Sequence, residues 1–266
     1  MKKFLVFFLV LTGLAIATQL EIFSSSGEWA YLENPARVFF LTKQGIMGAY
    51  HVLSSESGSL GTFQIGLFQP PSSNIAGVLF LKRTTLENAQ YVTTAEYDIA
   101  LSPQESITIG VGTSFSMDQD SKKELNLHAG VFGYLTENVE YSVGVRNFTL
   151  WSEKGSYMGG IYSLKLLYDT PRKNRFSYTL KFDQRVLENK IDFSIGNIQK
   201  AGFGISMLTN TDSGENALKI SLGFYATVNN VSIGFNTFIA SSSVSSDSLS
   251  EYYYTKGVGL RFAVRW

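Results

Sequence analysis

The sequence predicts an all-β chain: a transmembrane antiparallel up-and-down β-barrel of about 14 strands, with a short, partly helical N-terminal segment at or inside its mouth. Three observations carry this. Apolar residues alternate with polar or small ones in segment after segment, as they do in a strand with two unlike faces. Beyond the first residues, no stretch approaches the ~18 apolar residues a spanning helix requires. Hydrophobic residues make up 44% of the chain and aromatics 14%, while charged residues reach only 17%, against about 25% in a soluble domain. A soluble β-sandwich with aromatics in its core accounts less well for so many strands joined as simple hairpins.

Residues 1–17 read as a secretory signal peptide. Met1-Lys2-Lys3 is positive, Phe4 to Leu11 is apolar, and Ala15-Ile16-Ala17 gives a small-x-small cleavage site before Thr18. An uncleaved N-terminal anchor is the alternative. Cysteine is absent, so neither disulfides nor thiolate metal sites are expected.

Residues 18–44 form a hatch-like second unit, ahead of a barrel domain at 45–266. They do not alternate; a helical turn or two around Trp29 and Leu32 is expected to break at Pro35. Gly27, Ala30 and the turn Asn34-Pro35-Ala36, just before the first strand, resemble the FadL and PorV group of outer-membrane barrels. The group commonly carries a Ser-Ala-Leu run before this turn and Gly-Leu after it, whereas this chain has Ala-Tyr-Leu-Glu and then Arg37-Val38. The FadL side of the resemblance implies a channel or transporter for small solutes, hydrophobic ones included, gated by this segment. The PorV side implies a structural or export-assembly barrel without transport. Both imply the bacterial outer membrane.

The barrel strands are expected at 46–53, 60–68, 75–84, 90–101, 106–116, 124–134, 139–150, 157–168, 175–184, 190–196, 201–209, 217–227, 231–240 and 256–266. The count is even, and the connectors sort by length. Those on the side of the N-terminus are short, such as Val228-Asn229-Asn230. The others include Asn210–Asn216 and the Ser-rich stretch from Ala240 to Thr255, none of them long enough for a deep plug. In the last strand Val258, Leu260, Phe262, Val264 and Trp266 share one face. Its aromatic end resembles the closing strand of outer-membrane barrels, so Phe262, Val264 and Trp266 are assigned as a signal to the barrel-insertion machinery.

Outward, toward lipid, the pattern places Ile109, Val111, Leu127, Val143, Ile191, Leu218, Ile220, Leu222, Phe224 and Ile233. Aromatics near strand ends, Tyr91, Trp151, Tyr157 and Tyr252–Tyr254 at one end and Tyr134, Tyr168, Tyr178 and Trp266 at the other, would form interfacial girdles. Inward lie Glu96, Asp98, Glu140, Arg146, Lys165, Lys181, Asp183, Asp192, Lys219, Arg261 and Arg265. A mid-bilayer Lys or Arg on the lipid face of a barrel costs about 2–4 kcal/mol. Their signs nearly balance, so no strong choice by ion charge is expected, and most should brace one another across the interior. Gly110, Gly112, Gly130, Gly144, Gly204, Gly234 and Gly259 share that inward face. Either they make room for the N-terminal segment, or they relieve crowding on the concave side of a curved sheet.

No catalytic set, cofactor motif or metal spacing is found. His51 and His128 have no second ligand nearby in sequence, and Gly110-Val111-Gly112 and Gly202-Phe203-Gly204 precede no helix that would make them phosphate loops. Net charge is +0, which argues against a nucleic-acid partner. The expected partners are membrane lipid, the insertion machinery and a small-molecule, hydrophobic ligand; the oligomeric state is left open.

Overall fold

The computed structural model describes residues 34–266 apart from 73, 87, 89, 105, 155–158, 172–173, 197–198 and 246–248. The signal-peptide reading, Gly27, Trp29, Ala30, Tyr31 and Tyr157 lie outside the described residues.

Alternation translates into fourteen strands. The first seven are β1 (Gly45–Ser55), β2 (Gly58–Ser72), β3 (Ile75–Leu86), β4 (Tyr91–Gln104), β5 (Ile107–Asp118), β6 (Lys123–Thr136) and β7 (Val139–Ser152). The second seven are β8 (Ile161–Asp169), β9 (Arg175–Asp183), β10 (Val186–Ile195), β11 (Gln199–Asn210), β12 (Asn216–Val228), β13 (Val231–Ala240) and β14 (Lys256–Arg265). Each pairs antiparallel with its neighbours in sequence, and β1 pairs with β14 from Gly45↔Arg265 to Ser54↔Lys256, so the sheet closes on itself. Closure gives every strand a paired neighbour on both sides.

Most strands run a few residues beyond their expected ends. β10 starts at Val186 rather than 190, because Gln184 adopts φ 52° and lets a two-residue turn return the chain directly from Asp183. Asn229, at φ 54°, does the same between Val228 and Val231.

Outward faces form an apolar belt, with Leu67, Leu81, Val143, Ile191, Leu222, Ile233, Phe262 and Trp266 all exposed. The first strands alternate poorly because their inner face is apolar as well. Met47, Ala49, Leu53, Leu60, Phe68, Ala76, Val78, Phe80 and Ala100 are buried inside the barrel. What covers them is the chain itself: a 3-10 helix, Pro35–Phe40, enters the barrel and packs on β2–β6, with Val38 and Leu41 joining the same cluster. The inner face of those strands is thus a small hydrophobic core, and an apolar residue is favoured on both sides of the sheet.

At the opposite end the described residues of the connector after β13, 241–245 and 249–255, also turn inward. Val244 and Tyr252 are buried with Val186, Leu208 and Ala217, and Tyr254 packs with Leu53, Leu60 and Phe238. This corrects two expectations. Tyr252 and Tyr254 are each only 2% exposed, so they are no part of an interfacial girdle, and this loop does reach into the lumen.

Candidate functional site: the lumen between two closures

The end of the barrel where β1 begins is occupied by the 3-10 helix, and Asn34 fastens it. The two protons of its Nδ2 are shared among the Val131 carbonyl (3.0 Å), the Ser142 Oγ (2.8 Å) and the Val143 carbonyl (2.9 Å), while its Oδ1 accepts the Ala36 N–H (2.9 Å) and so caps the helix. Pro35 suits the first helical position because it lacks the N–H that would go unsatisfied there. Two inward glycines give the segment its seat. A Cβ on Gly110 would stand 2.1 Å from the Ala36 nitrogen and one on Gly130 1.9 Å from Asn34 Oδ1, whereas one on Gly144 would meet Asn34 only at an ordinary 3.5 Å. The other glycines divide. Gly112 makes room for Asp98, and Gly204 for Asp192 and Ser221, not for the N-terminal segment. Arg37 extends the fastening, reaching Glu140 at 3.4 Å and lying 4.5 Å over the Phe132 ring.

Above this floor, the inward charges assemble into local networks. Arg146 lies on both Glu96 and Asp98, the second at 3.3 Å. Its aim comes from a β-bulge. Leu127 pairs with Phe148 and Ala129 with Val145, so His128 faces two residues of β7, Arg146 and Asn147. Asn147 takes φ 52°, tolerable for asparagine, and its N–H is accepted by His128 Nδ1 at 3.1 Å. One ligand atom from each of Glu96, Asp98 and His128 lies within 4.8 Å of the others, a grouping that sequence spacing did not suggest. The trio does not suit a metal ion. Arg146 already occupies the carboxylates, and an Nδ1 that accepts a hydrogen bond leaves the neutral ring's proton on Nε2, the nitrogen that faces Glu96 at 3.8 Å.

Near the far end, Lys219 pairs with Glu188 (2.8 Å), Lys190 with Asp192 (3.2 Å), and Lys181 with Glu251 of the inturned loop (2.6 Å). Tyr252 donates its hydroxyl to Glu188 at 2.9 Å, and Asn210 donates to the Val244 carbonyl at 2.8 Å. At the near end Arg175 lies on Asp169 and reaches Glu140 at 3.4 Å, and Arg265 donates to Ser232 at 2.5 Å.

Between the two closures lies a cavity of about 430 Å³. Ser142, which holds Asn34, lines it at one end, and Leu249 and Ser250 of the far loop line it at the other. Of the eleven inward charges the sequence indicated, Glu96, Arg146, Lys165, Lys181, Asp183 and Arg261 reach this cavity, while Asp98, Glu140, Asp192, Lys219 and Arg265 do not line it. Lys82, Glu124 and Lys154 also line the wall and were missed. Lys82 was legible in principle, since it shares the parity of Phe80 and Thr84, but the two apolar faces of β3 obscured that parity. The balance of sign changes accordingly: six basic and three acidic residues border the cavity, among many hydroxyls. Phe262, Val264 and Trp266 lie on the outward face, remote from it, and Trp266 donates its N–H to the Gln44 carbonyl at 3.1 Å.

The sequence matches no known protein family and no curated protein. The fold, in contrast, is similar to several solved barrels. A TodX deltaS2S3 mutant, a monoaromatic hydrocarbon channel, superposes with a TM-score of 0.65 at 10% identity over 90% of this chain and 93% of that one. CymD, also a monoaromatic hydrocarbon channel, gives 0.64 at 8% identity over 88% and 92%. A Pseudomonas aeruginosa FadL homologue gives 0.59 at 8% identity over 88% and 93%. At such identities the likeness is one of fold.

Proposed function

We propose that this chain is a bacterial outer-membrane channel for small polar solutes, held shut on its periplasmic side by residues 34–40. The outer-membrane reading rests on the closed barrel, its apolar outer belt and the similarity to channel barrels. The observation that carries the solute class is the lumenal cavity itself. Its wall is hydroxylic and charged, bordered by Thr84, Thr94, Ser114, Ser116, Ser163 and Thr179. An apolar solute placed there would desolvate these groups without replacing their hydrogen bonds, which is unfavourable. The FadL-like expectation of a hydrophobic substrate is therefore set aside, while the expectation of a gating N-terminal segment is kept. On this reading the arrangement works as a vestibule with a floor. A solute entering from outside meets polar side chains, and passage requires Asn34 to release Ser142 and the β6 and β7 carbonyls.

Planar-bilayer recording of the purified full-length barrel tests this, compared with a variant lacking residues 20–40. The intact protein is expected to be almost silent, and the deletion to conduct in steady unitary steps. Vesicles carrying the deletion should also take up a small neutral sugar such as arabinose. A deletion that folds but passes neither ions nor sugar would overturn the channel reading, and would favour a structural barrel of the envelope.

A further inference from the structure

We infer that the lumenal cavity is a binding site for a small oxyanion-bearing solute, a carboxylate or phosphate, held by Lys82 and the hydroxyls beside it. The inference deepens the channel reading by naming the chemistry its vestibule selects.

The charge bookkeeping of the wall leads there. Its three carboxylates already have partners. Glu96 is engaged by Arg146, Glu124 accepts from Asn126 at 2.8 Å, and Asp183 is likewise engaged. Five of the six cations are also committed: Arg146 to Glu96 and Asp98, Lys181 to Glu251, Lys154 to Asp118 at 3.7 Å, and Lys165 and Arg261 each to partners of their own. Lys82 differs. Among the described residues it makes no hydrogen bond and no ion pair, and the charges it senses are Glu96, already held, and Arg146, which repels it. Lys82 is half-buried at the cavity wall, so its side chain is open to a counter-ion supplied from the cavity.

The surroundings fit an oxyanion. On the β3–β4 ladder Lys82 is directly opposite Thr94, and on the next ladder Thr94 is opposite Ser116, so these three side chains form one inward row. The Thr94 and Ser116 hydroxyls are 2.9 Å apart and share one proton between them, which leaves the other hydroxyl free to donate into the cavity. Thr84, two residues along the same face, adds a further hydroxyl. Lys165 on β8 and Arg261 on β14 border the same space. A point charge with three rotatable donors, flanked by hydroxyl donors, matches a carboxylate or phosphate oxygen. The cavity of about 430 Å³ falls in the ~300–1,000 Å³ range of small-molecule sites.

Equilibrium dialysis of the full-length barrel in detergent, with radiolabelled succinate in one arm, inorganic phosphate in the second and arabinose as a neutral control, tests the site. At least one anion is expected to bind saturably at one site per barrel, with the sugar not competing. Lys82→Gln should weaken it about tenfold or more, the scale of a lost charge-assisted hydrogen bond. Lys82→Arg should retain most of it, and Lys43→Gln, outside the cavity, should change nothing. No saturable binding of either anion by folded wild-type barrel overturns the inference, as does unchanged binding by Lys82→Gln. Binding in detergent does not depend on passage. A barrel that binds but conducts in neither form would sink the channel reading and leave this one standing; one that conducts but does not bind does the reverse.

Discussion

A single carboxamide, that of Asn34, holds the barrel's floor with both its N–H protons and its oxygen. It is completely buried, and its donors reach two strands separated from it by about a hundred residues of chain. Asn34→Ala should remove both donated protons and a cap, destabilising the seated segment by roughly 1–3 kcal/mol. Gly130→Val should do more, since even its first added carbon lands 1.9 Å from Asn34 Oδ1. Both are expected to raise single-channel conductance and to speed amide exchange at 36–40, with Gly112→Ala as a control that disturbs Asp98 instead. Sequence reading assigned eleven charges and the glycines to the inward face by parity alone. It missed what each of them meets. Nothing local indicates that Asp98 belongs with Arg146, because the pairing depends on a bulge at Asn147 that interrupts alternation by one residue.

Among the elements, the strands and the entering N-terminal segment were legible, and the inturned connector after β13 was not. Each strand carries its own period-2 signal, whereas a loop's direction depends on the surface it finds. The 241–255 connector reads as a Ser-rich outer loop because its anchors are few and far apart. Tyr252 reaches Glu188, and Glu251 reaches Lys181, across long stretches of sequence. The cluster Tyr252–Tyr253–Tyr254 was the available hint, but aromatics at that end fit a girdle equally well. Tyr252→Phe keeps the packing in the Val186–Leu208 cluster and deletes only the bond to Glu188. That leaves a buried carboxylate with one partner fewer. The expected result is a loop that exchanges its amides about five- to tenfold faster, a loss near 1 kcal/mol, with the barrel strands unaffected. Equal exchange in both proteins would mean that packing alone holds the loop.

For the whole molecule, the two faces of one strand make a direct comparison. Ile220 and Lys219 are adjacent in β12, one exposed on the outer belt and the other buried against Glu188. Ile220→Arg should cost about 2–4 kcal/mol of folding free energy in a bilayer, read from urea titration in lipid vesicles. The same substitution in a non-membrane sheet would be nearly neutral at an exposed site, so a change below about 0.5 kcal/mol would argue against lipid around the belt.

The pairing of β1 with β14 has a consequence for how the barrel is made. Thirteen of the fourteen ladders join strands that follow one another in the chain and can form as hairpins. The remaining one joins the two ends of the cylinder, Gly45 to Arg265, and brings Trp266 to Gln44. Until that seam is sewn, two long edges present open rows of amides and carbonyls, and the inner apolar patch has no cylinder to enclose it. Loop-closure entropy is charged in full at that last step, and the ladder's stabilisation is received only afterwards. A cylinder lacking only that seam, however well paired within itself, would be as adhesive to other chains as a sheet of the same width.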